Sequence, residues 1–246
     1  MRKIAIFVEG QSEQIFVRNI LYHISGNVSF SFECIKIHGG IDRNVPYAVR
    51  NHDSQIFFLI INVENDSKVL SFIKEREKAL FEKGYNRIIG LRDMYSLEYR
   101  KRSKDKIDLN INENFIKAHD KIICSMSSPE NINFFFSIME FEAWLLGMHT
   151  IFEKIDDRLS VELIQRKLDI LLDQVDPETA FFHPAAVLDK IFNLVDMSYN
   201  KKYDDLESIT SKIELDDIAK LVNSGGCLSF ASFYKNIKEE FFNCSA

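Results

Sequence analysis

Acidic side chains close several of the apolar runs in this chain, and the chemistry they could do depends on being held still. Glu9 ends the run Lys3-Ile4-Ala5-Ile6-Phe7-Val8 and is followed at once by Gly10, Ser12 and Glu13. Asp93 follows Arg87-Ile88-Ile89-Gly90-Leu91, with Arg92 between, and Glu140 and Glu142 follow Phe134-Phe135-Phe136-Ser137-Ile138-Met139. In open α/β sheets, ligands bind beyond the carboxyl ends of the strands, so three separate segments could bring their carboxylates to one place. Carboxylates crowded together repel one another unless their pKa values rise or a cation neutralises them. A hard divalent cation, Mg2+ or Mn2+, accepts such oxygens. It would polarise a phosphodiester and acidify its bound water, and a second ion about 3.5–4 Å away would stabilise the leaving oxygen.

The elements that must carry these residues follow from apolar spacing. Residues 2–8 read as a buried strand, and 12–24 as a helix with Ile15, Phe16, Ile20, Leu21 and Ile24 on one side. Gly10 with Glu13 three residues on resembles a capping arrangement. Residues 28–37 alternate as a strand with one buried face. The run 55–63 suits a central strand covered on both sides, and 67–83 the helix that returns across the sheet. Residues 86–91, 121–126 and 133–139 read as further strands, and Glu140 opens a short helix carrying Ala143, Trp144 and Leu145. From about 150 onward the spacing is helical, over 159–172, 184–195, 214–223 and 228–242. The fold class expected is α/β, a sandwich with a mainly parallel central sheet over residues 1–150 and a C-terminal helical annex over 151–246.

Composition narrows the class of protein. The chain has 246 residues, and at 46% hydrophobic it can bury a sizeable core. No apolar run approaches the roughly 20 residues of a membrane span, and no leader sequence is recognisable, so a soluble cytoplasmic protein is expected. Cys34, Cys124, Cys227 and Cys244 lack C-x-x-C spacing, which points to structural thiols rather than a zinc site or a disulfide framework. The net charge of −6 neither requires nor forbids a polyanionic partner, because local patches decide that. One patch follows Asp93: Arg100, Lys101, Arg102, Lys104 and Lys106, with Arg92 just before it, would contact phosphates, although a charge run is usually a solvated loop. No Walker A sequence, dinucleotide fingerprint or nucleophile elbow is present, and Glu rather than Asp ends the first strand, against an aspartyl-nucleophile phosphatase. Trp144 reads as core. His38 before Gly39-Gly40 suits a turn or a phosphate approach, and His183 before Pro184 suits a helix entrance. Lys190, Lys201 and Lys202 are lysines that could line a groove.

The strings Val8-Glu9-Gly10-Gln11-Ser12-Glu13, Ile89-Gly90-Leu91-Arg92-Asp93-Met94-Tyr95 and Met139-Glu140-Phe141-Glu142-Ala143-Trp144 resemble, in that order, three landmarks of a Toprim-like family. That family is similar to the nuclease half of overcoming-lysogenization-defect proteins and to the Toprim effector of the phage anti-restriction-induced system. The resemblance spans roughly residues 3–150. It implies a Toprim-like sandwich in which Glu9 is a metal ligand or general acid/base and Asp93 is the first aspartate of D-x-D. Position 95 is Tyr where the second aspartate is usual, so Glu140 or Glu142 would have to supply the missing oxygen. Glu13 would be a further metal ligand or simply compensate the helix N-terminus.

Two functions are then expected from different classes. One is a Mg2+- or Mn2+-dependent nuclease acting on DNA or RNA, tRNA included, with Glu9, Asp93, Glu140 and Glu142 as catalytic residues and, together with Glu13, as metal ligands. The resemblance adds a role in anti-phage defence and control by a separate ABC-type ATPase subunit; a homodimer and no membrane partner are expected besides. The other is a Toprim scaffold that has lost catalysis, marked by Tyr95, and serves as a regulatory or interaction subunit.

Overall fold

The computed structural model describes residues 1–64 and 68–243, and only the backbone of Asp204. Cys244, one of the four expected structural thiols, lies outside the described residues. The strands are β1 (Arg2–Val8), β2 (Phe30–His38), β3 (Ile41–Val49), β4 (Ile56–Asn62), β5 (Arg87–Asp93) and β6 (Ile132–Ser137). They form one six-stranded sheet in the order β3-β2-β4-β1-β5-β6. β1 runs parallel to both neighbours, with Ile6 paired to Ile60 on β4 and to Ile89 on β5, and β2 runs parallel to β4. Only the β2–β3 pair is antiparallel among the pairings described. The protein is therefore α/β with a mostly parallel sheet, as the alternation of elements predicts.

Two compact units interleave along the chain. The first comprises Met1–Arg92, Asn112–Phe136 and Tyr234–Ala246, and the second Asp93–Ile111 and Ser137–Phe233. The single boundary expected at residue 150 does not coincide with them. Apolar runs at the start and end of the chain serve one unit, which no linear scan of composition reveals.

The first unit holds the sheet. Along β1, side chains alternate between faces. Ala5 and Phe7 join Val69, Leu70, Ile73 and Leu80 of α2 (Val69–Glu82) in one core cluster, together with Ile123 at the end of α4 (Leu109–Ile123). Around Phe30 a second, aromatic cluster gathers Tyr22, Phe32, Phe58 and Phe241, with ring centroids 5.4–6.4 Å apart. Tyr22 belongs to α1 (Gln11–Ser25) and Phe241 to α12 (Leu228–Phe242). Gly90 of β5 is there for close approach: a Cβ would lie 2.5 Å from the Phe134 ring on β6 and 2.8 Å from Ile73.

Sequence reading fails at two elements of this unit. Residues 121–126, expected as a strand, are the end of α4 and the turn after it. Asp108 accepts from the amides of Asn110 and Ile111 and starts that helix, which carries on through Ile122 and Ile123 and leaves Cys124 in the turn. A short apolar run fits either period, and here the upstream cap decides. β3 was not expected at all, because it is largely exposed on both faces and contains Pro46, so neither burial alternation nor propensity signals it. Register pins it instead: His38 pairs with Ile41 across the two-residue loop Gly39-Gly40, whose φ values of 60° and 79° require glycine. His38-Gly39-Gly40 is thus a hairpin turn.

The second unit is helical: α3 (Leu97–Ser103), α5 (Glu142–Gly147), α6 (Ile151–Ile155), α7 (Val161–Leu168), α8 (Pro177–Ala180), α9 (Pro184–Asn193), α10 (Tyr203–Thr210) and α11 (Leu215–Ser224). The expected helices over 184–195, 214–223 and 228–242 are present, whereas the one expected over 159–172 is only α7, which stops at Leu168 because Asp169 turns left-handed, with φ 58°. Trp144 is fully buried, as expected of a core residue, stacked on Phe233 at 5.6 Å and donating from Nε1 to Glu178 and Ser229 at 2.9 Å each.

Candidate active site

Three of the expected acids meet within the second unit. Asp93, the last residue of β5, is 6% exposed. Its Oδ1 accepts from the Ser137 hydroxyl at 2.5 Å and from the Phe141 amide at 3.0 Å, which fixes the carboxylate to the segment that carries the other two acids. That segment turns sharply: Tyr95 N donates to Met139 O at 2.8 Å, and Met139 has φ 63°, a left-handed conformation that costs a non-glycine residue roughly 1 kcal/mol or more. Glu140 follows the turn, and its Oε2 accepts from the Ala185 amide in the first turn of α9 at 3.0 Å. Glu142 opens α5 and is fully buried.

A cation already sits among them. Lys201 Nζ lies 3.0 Å from Glu142 Oε1 and 3.3 Å from Glu140 Oε1. Burial opposes its charge, but the carboxylates of Glu142, Glu140 and Asp93 overcome that and hold its pKa above the ordinary lysine value. The side chain is 40% exposed as a whole, so solvent reaches it beside the buried acids. Lys201 also has a left-handed backbone, φ 53°, making two strained non-glycine residues at one cluster. Tyr199 donates its hydroxyl to Glu142 Oε1 at 2.8 Å. Burial nevertheless raises the Glu142 carboxyl to about 7, against the attraction of Lys201. Its Oε2 is buried with no hydrogen-bond partner among the described residues.

Three acids and one ammonium leave a formal charge of −2, and an orphaned carboxylate oxygen is costly where water is excluded. The donor set is all hard oxygen, so its chemistry fits Mg2+ or Mn2+ rather than a softer metal. Asp93, Glu140 and Glu142 are the residues that would hold it. The described residues contain no group of three or more His, Cys, Asp or Glu side chains gathered closely enough to form a metal site as they stand. Glu140 and Glu142 are instead drawn to the lysine.

Glu9 and Glu13 belong to the first unit. Glu9 lines a cavity of about 380 Å3 together with Gly10, Gln14, Lys36, Asn62 and Glu64. Glu13 is 5% exposed and its Oε2 accepts from the Gly10 amide at 2.8 Å, which is the capping role. Glycine at the N-cap has no side-chain oxygen of its own to offer the helix.

The expected nucleic-acid residues divide by environment. Arg92 is 7% exposed, with its guanidinium over the Phe136 ring at 5.7 Å, so packing occupies it rather than phosphate. In and after α3, Arg100 is bound to Asp105 at 2.6 Å and Arg102 to Glu98, while Lys101, Lys104 and Lys106 are exposed. Tyr95, in place of a second aspartate, packs its ring against Phe182 and His183 at 5.7 and 5.3 Å. His183 marks the start of α9, as expected, with Pro184 at its first position. Cys34 and Cys227 are buried, and burial pushes the Cys34 thiol up to about 12 and the Cys227 thiol higher still, which makes both poor nucleophiles. Cys124 is exposed.

Fold and cluster together define an α/β protein with an acidic, lysine-filled site. The chain belongs to the family described as a domain of unknown function, DUF4276, whose profile matches residues 8–238. No curated protein and no solved structure matches it. Tyr199 is the site residue that sequence reasoning missed, and Lys201, expected only as a lysine that could line a groove, is instead bound to the acids. The only signal was that both lie in a short polar stretch between two helical patterns.

Proposed function

We propose that Asp93, Glu140, Glu142 and Lys201 form the centre of a metal-dependent phosphodiesterase acting on DNA or RNA. The observation that carries this reading is the buried Glu142 carboxylate, one oxygen tied to Tyr199 and Lys201 and the other without a partner. When bound, Mg2+ or Mn2+ supplies Lewis-acid polarisation and an acidified water. The chain's own groups do the rest. Asp93 is fixed by Ser137 and Phe141, so it is pre-organised as an acceptor. Glu142, ionising near neutrality, suits proton transfer. Lys201 holds positive charge beside the acids and would face a phosphate oxygen, and the exposed Lys101, Lys104 and Lys106 would contact the backbone of a longer substrate. The resemblance extends the proposal to an effector of anti-phage defence controlled by a separate ABC-type ATPase, and a cytoplasmic location and a homodimer are proposed with it.

Purified protein incubated with plasmid, single-stranded DNA and total tRNA, in Mg2+, Mn2+ or chelator, tests the proposal. Cleavage that needs the metal and is lost in Asp93→Asn and Glu142→Gln is expected. Glu9→Gln in the same assay tests the role the resemblance gives Glu9. A second reading rests on the lysine filling the cluster and on Tyr95 packed into aromatic neighbours: a scaffold that binds a partner without catalysis. Absence of cleavage in every metal and substrate combination, with wild-type folding, selects it.

A further inference from the structure

The cavity of the first unit is built from groups whose orientation the backbone dictates. Gln14 of α1 is 1% exposed, and its Nε2 donates to Ile35 O and to Ile60 O, each at 2.9 Å. Two carbonyls on two strands fix which end of the amide is nitrogen. Oε1 must then point the other way, and it has no partner among the described residues. Gln14 lines the cavity, so this acceptor is aimed into it. Asn62, the last residue of β4 and 5% exposed, is fixed in the same manner, because its Oδ1 accepts from the Glu64 amide at 2.8 Å. Its Nδ2 donor is left for the cavity it lines. Val45 of β3 supplies an apolar wall.

At about 380 Å3 the cavity is of small-ligand size. Its charged groups argue against a free anion: Glu9 and Glu64 outnumber Lys36, whose ammonium is bound to Glu64 at 2.9 Å. The rigid features are instead one neutral acceptor and one neutral donor. We infer that this cavity binds a flat, uncharged group carrying an N–H beside a hydrogen-bond acceptor, the edge that a nucleobase presents, with Gln14 Oε1 and Asn62 Nδ2 as the reading pair. Burying two polar groups that only such an edge satisfies gives strong discrimination, since a ligand lacking it leaves both unpaired. The inference does not depend on the phosphodiesterase reading, which rests on the second unit.

Two sources share this chemistry, a free nucleoside and a base of a single strand. Calorimetric titration of the full chain, without added metal, with adenosine, guanosine, cytidine, uridine and ribose separates the edge from the sugar. At least one nucleoside should bind, and ribose should not. Val45→Trp, on the exposed edge strand, puts a large ring on the cavity wall while leaving both amides in the sequence, and should abolish binding. Asn62→Asp keeps the oxygen that holds Glu64 but replaces the donor, and should weaken binding about tenfold or more. Competition by a single-stranded oligonucleotide assigns the base to a strand, and its absence to a free nucleoside. No nucleoside binding at millimolar concentration overturns the inference, as does binding that survives in folded Val45→Trp. Binding of putrescine in place of the nucleosides overturns it too, by making the cavity a cation site. Cleavage assays read the other proposal separately, so either can fail alone.

Discussion

Glu142 is the residue whose protonation should be felt by the whole fold. Burial raises its carboxyl from the ordinary 4.5 to about 7. Between those values the folded protein holds a proton that the unfolded chain has released, so this group's stabilisation is full below about pH 4.5 and is lost as pH rises through about 7. A shift of that size corresponds to roughly 3 kcal/mol at most, reduced by whatever Lys201 recovers. Glu142→Gln removes the titration. Urea unfolding at pH 5 and pH 8 should therefore show the variant gaining about 2–3 kcal/mol relative to wild type over that interval. Parallel stability profiles would show that Glu142 ionises normally. Lys201→Met should do the opposite at pH 8, destabilising by about 3 kcal/mol because it strands buried carboxylates, and much less at pH 5 where Glu142 is protonated. At this scale the sequence was only half legible. Acids at the ends of apolar runs announce themselves, but a lysine about 60 positions away becomes part of the site only through the path of the loop before α10, and no spacing rule encodes that path.

Elements with one strong period were readable, and elements defined by neighbours were not. β1 and β4 carry unbroken apolar runs and α1 carries apolar residues about 3.6 apart, and all three formed where expected. β3 exists because β2 offers it a ladder and Gly39-Gly40 turns the chain, and α4 outcompetes a strand because Asp108 caps it. Gly90 shows the same dependence on neighbours. An isolated glycine in an apolar strand reads as a weak point, yet the Phe134 ring occupies the space where its Cβ would be. Gly90→Ala should force that ring and Ile73 to shift and cost about 1–3 kcal/mol, whereas strand propensity alone would have alanine stabilise. Thermal unfolding distinguishes them by sign. An unchanged or raised midpoint would mean that β5 and β6 can separate without penalty. The basic run belongs here as well. With Arg100 and Arg102 bound to acids, replacing Lys101, Lys104 and Lys106 by Ala should flatten the salt dependence of nucleic-acid binding more than replacing the two arginines. Equal effects would mean that the ion pairs open on binding.

The whole chain divides so that its last segment completes its first unit. Glu240 of α12 is 2% exposed and is bound by Arg2 of β1, with Oε2 2.7 Å from Nε, and by Arg87 of β5, with Oε1 3.2 Å from Nε. The next residue of the same helix, Phe241, packs on Phe30 and Phe58 with centroids 5.7 and 5.3 Å apart. A fragment of residues 1–150, the division that composition suggests, would expose those rings and leave both arginines without their carboxylate. It should fail to unfold cooperatively and should bind a hydrophobic dye, even though every strand of the sheet is present in it. Glu240→Ala in the full chain isolates the electrostatic part: removing the buried carboxylate leaves two half-buried guanidiniums without their counter-charge, Arg87 keeping only the Glu130 carbonyl, a loss of about 3 kcal/mol. The aromatic part is read by Phe241→Ala, at about 3–5 kcal/mol for a buried ring. A 1–150 fragment that melts in a single sharp transition near the full-length temperature would show that α12 decorates the sheet instead of completing it. In that case both substitutions should be nearly silent, so the fragment and the point variants must agree.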